Sequence, residues 1–216
     1  MNKPASFISK VKKKVRYGTL LHSFLDRLKR VGIVVCPYYL VREQCIPASD
    51  LQVSIEPKID SLATSFLAAE EIHSVMRPLE NARAEEGYTA QKRIADGCLC
   101  FGVMKEQEVI AFTWCDLKVC NHEPLPINLE SSEAYLFDMF TFEECRGKNI
   151  APFMRHKLYS HLVEMGRTEF LSITDAFNSA SKRFKAKLGA YPLKLYLYIR
   201  FGKLFERNFL LKSYEQ

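Results

Sequence analysis

Residues 137–151 read FDMFTFEECRGKNIA, an apolar, aromatic run that turns at Arg146-Gly147 and passes directly into a helical pattern. A helix that starts there presents unpaired backbone N–H groups and the positive end of its dipole. Such a terminus is a ready anion site. Gly147 lets the backbone bend tightly, Ala151 keeps the first turn uncrowded, and Arg146 and Lys148 add positive charge. A pyrophosphate is a natural guest. The same stretch is also what an ordinary strand–helix turn looks like, with the glycine as a turn residue only.

Working outward, Ala134–Phe142 forms the strand, Asp138 being its one internal acid. The helix runs from Ile150 to Met165 and stops at Gly166. A strand at Glu169–Thr174, a helix at Asn178–Leu188 ended by Gly189, and a long aromatic strand at Tyr191–Phe201 follow. A strand–helix–strand crossover over 134–174 demands a parallel pair. Residues 202–216 read as an apolar and basic tail.

Upstream, Cys98–Met104 and Val109–Leu117 flank a plausible hairpin turn, so the sheet is mixed. A loop covers 118–132. Asp60 or Ser61 caps a helix to about Met76, its inner face built from Leu62, Phe66, Leu67, Ile72 and Met76. A second short helix lies near Thr89–Ala95. Leu51–Ile55 reads as a short strand, and Ile33–Val41 as a strand that Pro37 demotes to an edge or a bend. Residues 10–30 form a basic amphipathic helix with Leu20, Leu21, Phe24, Leu25 and Leu28 on its apolar stripe, stopped by Gly32. The organisation expected is a helix with its lead-in strand over 1–45 and an α/β domain over 46–216.

Composition bounds the reading. The 216 residues are 48% hydrophobic and 26% charged, which excludes a disordered or low-complexity chain. No apolar run approaches the ~20 residues of a membrane span, and a cleaved signal peptide is not expected. Seven irregularly spaced cysteines without a C-x-x-C pair argue against a zinc ribbon and fit free thiols in a cytoplasmic protein. The scattered histidines give no metal site. The net +6 divides into +8 over 1–30, −11 over 31–145 and +9 over 146–216, so the basic ends either meet an anionic partner or neutralise the acidic middle.

Arg146-Gly147-Lys148-Asn149-Ile150-Ala151 resembles the Arg/Gln-x-x-Gly-x-Gly/Ala pyrophosphate loop of the GNAT acyltransferases, with Asn149 where glycine is usual. Asn178 to Ala190, NSASKRFKAKLGA, is similar to the second motif of that family, in which an Asn opens a helix that closes at Leu-Gly-Phe. The 32 residues from Arg146 to Asn178 suit helix–strand–helix in that fold, and the two motifs cover about 134–190.

The resemblance implies an α/β fold with a splayed, mostly antiparallel sheet, a parallel pair at its fourth and fifth strands, and flanking helices. It implies acetyl-coenzyme A as co-substrate. Main-chain groups of Met139, Phe140 and Thr141 bind the pantetheine, the loop Arg146, Gly147, Lys148, Asn149, Ile150 and Ala151 holds the pyrophosphate, and Asn178 contacts the pantetheine arm. The acid tyrosine of the family is replaced by Lys185, which reads as a proton donor or as an exposed helix lysine.

For the base, Asp138 is the first candidate. A carboxylate in an apolar strand has a raised pKa and takes an ammonium proton; the alternative is a structural carboxylate paired with Arg. Glu133 at the strand's start is second, against an exposed strand end. Asp175 is a ligand or a helix-start residue. Trp114, Tyr191, Tyr196, Tyr198 and Phe201 line an acceptor pocket or form a strand's core face, and Cys98 with Cys100 is core.

The function expected is transfer of an acetyl group to the amine of a small molecule. The N-terminal style and the TFEECRGKNIAP run look like members associated with surface-polysaccharide synthesis, which makes an amino sugar a candidate acceptor. The alternatives are a long-chain acyltransferase using acyl-coenzyme A or an acyl carrier, and a degenerate fold kept for binding. Nucleic acid is not expected as a partner. The basic helix at 10–30 either packs on the domain or lies on an anionic membrane at the inner face.

Overall fold

Two consecutive left-handed residues, Glu106 (φ 50°) and Gln107 (φ 70°), close the central hairpin. That turn matches the right-handed twist of its strands. Around it the computed structural model describes residue 25 and residues 27–51, 54–82, 90–120 and 126–214. In order these are β1 (Ile33–Glu43), β2 (Leu62–Phe66), α1 (Ala69–Ala82), α2 (Ala90–Ala95), β3 (Leu99–Lys105), β4 (Glu108–Asp116) and the two-residue strands β5 (Val119–Cys120) and β6 (Ile127–Asn128). Then come β7 (Glu133–Thr141), α3 (Ile150–Glu164), β8 (Glu169–Asp175), α4 (Ser179–Lys187), β9 (Tyr191–Phe201) and β10 (Phe205–Ser213). Eight strands form one sheet in the order β10-β9-β1-β8-β7-β4-β3-β2. The one parallel pairing in it, among the described residues, is β7 with β8.

The sheet is covered on both faces. On one, Ile150, Met154, Leu158 and Leu162 recur at helical spacing along α3 and pack with Phe101, Val103, Ala111, Leu136 and Phe170. Met154, Leu158 and Leu162 are fully buried, each contributing on the order of 2 kcal/mol. On the other, Ile72 and Met76 of α1 and Ala90 of α2 pack with Cys98, Cys100, Phe112 and Trp114.

Several expectations are corrected. Residues 62–66 are strand, not helix. Ser61 sits at φ 58°, Leu62–Phe66 pairs antiparallel with β3, and the helix begins at Ala69, where the Glu71 carboxylate accepts the Ala68 N–H at 2.7 Å. Leu51 and Ile55 are not in a strand; Ile55 is buried in the core instead. The tail at 202–216 contains β10, paired antiparallel with β9.

Pro37 does not put its strand at an edge: β1 lies between β9 and β8. The N–H and C=O of a strand residue point to the same side. The Pro37 carbonyl accepts the Ala176 N–H at 2.9 Å, just past the last β1–β8 pair, Tyr38 with Asp175. The missing donor therefore faces the end of β8. Of the N-terminal helix, residues 25 and 27–30 are helical; the rest of 10–30 lies outside the described residues.

Candidate acyl-coenzyme A site

The β7–β8 ladder is short. Glu133, Ala134 and Tyr135 stand opposite Glu169, Phe170 and Leu171, whereas the strands run on to Thr141 and Asp175. Beyond Tyr135 the two part, and β7 stays paired to β4 alone. Phe142 N–H bonds the Ile110 carbonyl at 3.1 Å, so by alternation Phe140, opposite Phe112, directs its main chain to β4. Met139 and Thr141 direct theirs to the open edge. Of the three residues expected to supply main-chain groups, Phe140 is thus corrected to a β4-facing position.

A bulge breaks β7 just inside that edge. Asp138 and Met139 together oppose Thr113, and Asp138 has φ 44°. The Thr113 hydroxyl donates to the Phe137 carbonyl at 3.2 Å.

The mouth of the open edge is the turn into α3. Helix α3 makes its first bond from Phe153 N–H to the Asn149 carbonyl, so the amides of Ile150 and Ala151 precede any intrahelical partner. Gly147 has φ 77°, and a Cβ there would meet nothing within 4 Å, so the turn is open beside that residue. Arg146 Nε donates to the Thr141 carbonyl at 3.0 Å, its guanidinium 5.6 Å from the Phe140 ring. Lys148 is exposed.

Asn149 adopts φ 60°, ψ 16°, a left-handed conformation that glycine and, after it, asparagine accept. Its side chain donates to the Glu56 carbonyl at 3.2 Å and accepts from Lys187 Nζ at 3.0 Å. Beside it a recess of about 430 Å³ is lined by Arg183, Lys187 and Gly189 of the α4 end, with Ile46, Asp50 and Leu51. Gly189 has φ 72°, and a Cβ there would lie 2.4 Å from Ile46 Cδ1. Asn178 caps α4, its Oδ1 accepting the Ser181 N–H at 2.9 Å.

The carboxylates singled out from the sequence, Asp138, Glu133 and Asp175, each have their own partners. Asp138 pairs with Arg93 Nη1 of α2 at 2.5 Å, and that guanidinium lies 5.1 Å from the Trp114 ring and 5.4 Å from the Phe137 ring. Glu133 sits at the closed end of the ladder and accepts the Glu130 N–H at 2.9 Å. Asp175 accepts the Phe177 N–H at 2.7 Å in an Asx turn and the Cys36 thiol at 3.7 Å.

Lys185 is not exposed; 4% of it reaches solvent. Its ammonium donates to Thr174 Oγ1 at 2.5 Å and Ser172 Oγ at 2.7 Å, and lies 3.3 Å from Glu43. Burial pulls its pKa down to about 8, with Glu43 opposing the fall. Burial alone would raise Glu43, but Arg155, Lys185 and hydrogen bonds from Ser172 and Tyr159 outweigh it and hold the carboxyl at about 2. Lys185 and Thr174 also reach a pocket of about 250 Å³ with Tyr39, Val41, Tyr191 and Tyr214.

Arg93, Glu43 and Arg155 escaped the sequence reading. Their signal is a charge at a position of the buried face: Glu43 ends an apolar strand, and Arg155 stands between Met154 and Leu158 on the inner face of α3. Trp114 is wholly buried core, and Tyr196 stacks on Tyr38 at 5.4 Å. Among the described residues no cluster is placed to hold a metal.

A model of the acetyltransferase (GNAT) family matches residues 66–190, more than half of the chain. No curated protein matches it in sequence. Among solved structures it is similar to a functionally unknown conserved protein from Staphylococcus epidermidis, with TM-score 0.55 and 8% identity over 83% of this chain and 66% of that one. It is similar to a putative acetyltransferase of the GNAT family from Novosphingobium aromaticivorans, with TM-score 0.51 and 16% identity over 78% and 66%. A GCN5-related N-acetyltransferase from Kribbella flavida gives TM-score 0.50 and 12% identity over 81% and 62%. The chain thus spans just under two thirds of the length of these structures, and identities this low speak for the fold alone. With the family model spanning the splayed strands, the turn and the capped helix, the chain belongs to the acetyltransferase (GNAT) family.

Proposed function

We propose that the protein transfers an acetyl group from acetyl-coenzyme A to the amine of a small molecule. The observation that carries the reading is the ladder that parts after Tyr135 and opens toward the uncapped start of α3. Main-chain groups on a half-buried strand need partners, and a pantetheine arm carries amides that match the Met139 main chain and the Thr141 N–H, the Thr141 carbonyl being held by Arg146. The Gly147–Ala151 amides with Arg146 and Lys148 suit a pyrophosphate. The recess between Arg183 and Lys187 suits the adenosine end, which is also anionic. Asn178 stands at the start of the helix that borders this arm.

In the reaction the amine nitrogen attacks the thioester carbonyl; a C–N bond forms, the C–S bond breaks, the amine loses a proton and the thiolate takes one. Asp138, at the bulge beside the open edge, is the base in this reading, held in place by Arg93. Glu133 ranks below it because it lies at the closed end of the ladder. An amino sugar is the acceptor that the surface-polysaccharide likeness suggests, and a mass-spectrometric screen of amines with acetyl-coenzyme A identifies it.

One observation favours a second reading, a fold kept for binding. Lys185 stands at the family's acid position, yet its protons are directed at Thr174, Ser172 and Glu43. In that case coenzyme A binds without turnover on any amine.

The first test is thermal. Coenzyme A at a hundred times its Kd stabilises the native state by ~2.7 kcal/mol, raising Tm by about 5–10 °C for a chain of this size. Gly147→Val forces a β-branched side chain into a left-handed position and removes the shift while the protein stays folded. Absence of any shift with millimolar acetyl- or longer acyl-coenzyme A overturns both readings.

A further inference from the structure

The β9–β10 hairpin carries its apolar side chains outward. Leu204 at the tip is 97% exposed, and Phe201, Phe205 and Phe209 beside it are 45%, 41% and 43% exposed. Val31, 71% exposed, belongs to the same end of the molecule, because the Gly32 carbonyl accepts the Gly202 N–H at 2.7 Å. Leu210 and Leu211 on the outermost strand are each 54% exposed. Phe201, Phe205 and Phe209 share one face of the hairpin beside the Leu204 tip, and an exposed apolar group of this kind marks an interaction site.

Exposed cations stand among these side chains: Lys29, Arg30, Arg200, Lys203, Arg207 and Lys212. Glu206 is the one acid between residues 197 and 214, and it accepts the Tyr198 hydroxyl at 3.0 Å. Six cations against one acid decide between partners. A second copy of this surface brings like charges together, which costs affinity. Nucleic acid satisfies the cations and has no use for Val31, Leu204, Leu210 and Leu211. An anionic bilayer satisfies both sets, with apolar tips entering the headgroup boundary and cations held at the phosphate level.

We propose that the β9–β10 hairpin tip, with Val31 and the cationic end of the preceding helix, docks the protein peripherally on an anionic lipid surface. No helix among the described residues is long and apolar enough to cross a membrane; the contact is interfacial. It differs from the sequence expectation in resting on the C-terminal hairpin and sharing only the last residues of the 10–30 segment, and it does not depend on the acyl-transfer reading.

Co-sedimentation with vesicles tests it. The full chain pellets with phosphatidylcholine vesicles containing phosphatidylglycerol at low salt, is released at high salt, and stays in solution with phosphatidylcholine alone. Leu204→Asp with Phe205→Asp abolishes pelleting, and Lys203→Gln or Arg207→Gln weakens it about fivefold each. All these positions are exposed, so circular dichroism and the unfolding temperature stay those of the parent. Supernatant protein at low salt overturns the proposal, as does pelleting that survives the double substitution. A dimer in solution that Leu204→Asp converts to monomer also overturns it, since the surface is then a contact between copies.

Discussion

Asn149 departs from the family's loop pattern in chemistry and not in conformation. Its φ of 60° is what the usual glycine provides, and its side chain adds two bonds, to Glu56 and Lys187, that brace the loop. Asp138 is the other left-handed residue of the site that is not glycine, and its ion pair with Arg93 sharpens its test. Asp138→Asn is expected to keep coenzyme A binding and lower kcat by ~10²-fold or more, the size of a general-base contribution. Glu133→Gln is expected to cost less. The reverse ranking, measured by steady-state kinetics, moves the base to Glu133, and an unfolded Asp138→Asn makes the Arg93 pair a structural one.

Four elements meet at Glu43: β1 carries it, α3 brings Arg155 and Tyr159, β8 Ser172, and α4 Lys185. Removing the one anion leaves two buried cations unpaired, so Glu43→Gln is expected to destabilise the fold by about 3–5 kcal/mol at pH 7. The pH dependence has a definite sign. The folded carboxyl titrates near 2 against 4.5 unfolded, so its contribution is present above 4.5 and is lost as pH falls toward 2. The gap between parent and variant in urea unfolding should therefore narrow below pH 4.5.

Elements of this interior were legible in unequal measure. The β3–β4 hairpin, α3, β8 and α4 follow from local periodicity with glycine or asparagine punctuation, and the loop motif lies inside them. Residues 62–66 misled because Leu62, Phe66 and Leu67 fit a helical face as well as a strand, and only pairing with β3 decides between them. β10 was missed because its apolar residues show no buried side. The Glu43 network was missed because its members are joined through space, across more than a hundred residues. Asp138 was legible as a lone acid in an apolar strand, but nothing local announces that Arg93 is its partner.

At the scale of the whole molecule, the expected boundary at residue 45 cuts through what holds the sheet together. β1 is hydrogen-bonded to β8 along one edge and to β9 along the other, so a chain of residues 46–216 leaves β9–β10 with no neighbour. That fragment is expected to be insoluble or to lack a cooperative thermal transition by circular dichroism, and a cooperative melt near that of the full chain would show the strand to be dispensable. The same placement bears on biosynthesis. Of the described strands β1 leaves the ribosome before the others, yet its partners begin at Glu169 and end at Phe201. At ~5–20 residues per second the finished strand waits about 7–26 s with both edges bare before β8 is complete. During that interval it is a sticky ribbon of valine, tyrosine and leucine, and the nascent protein's yield depends on whatever shields it until its last strands are made.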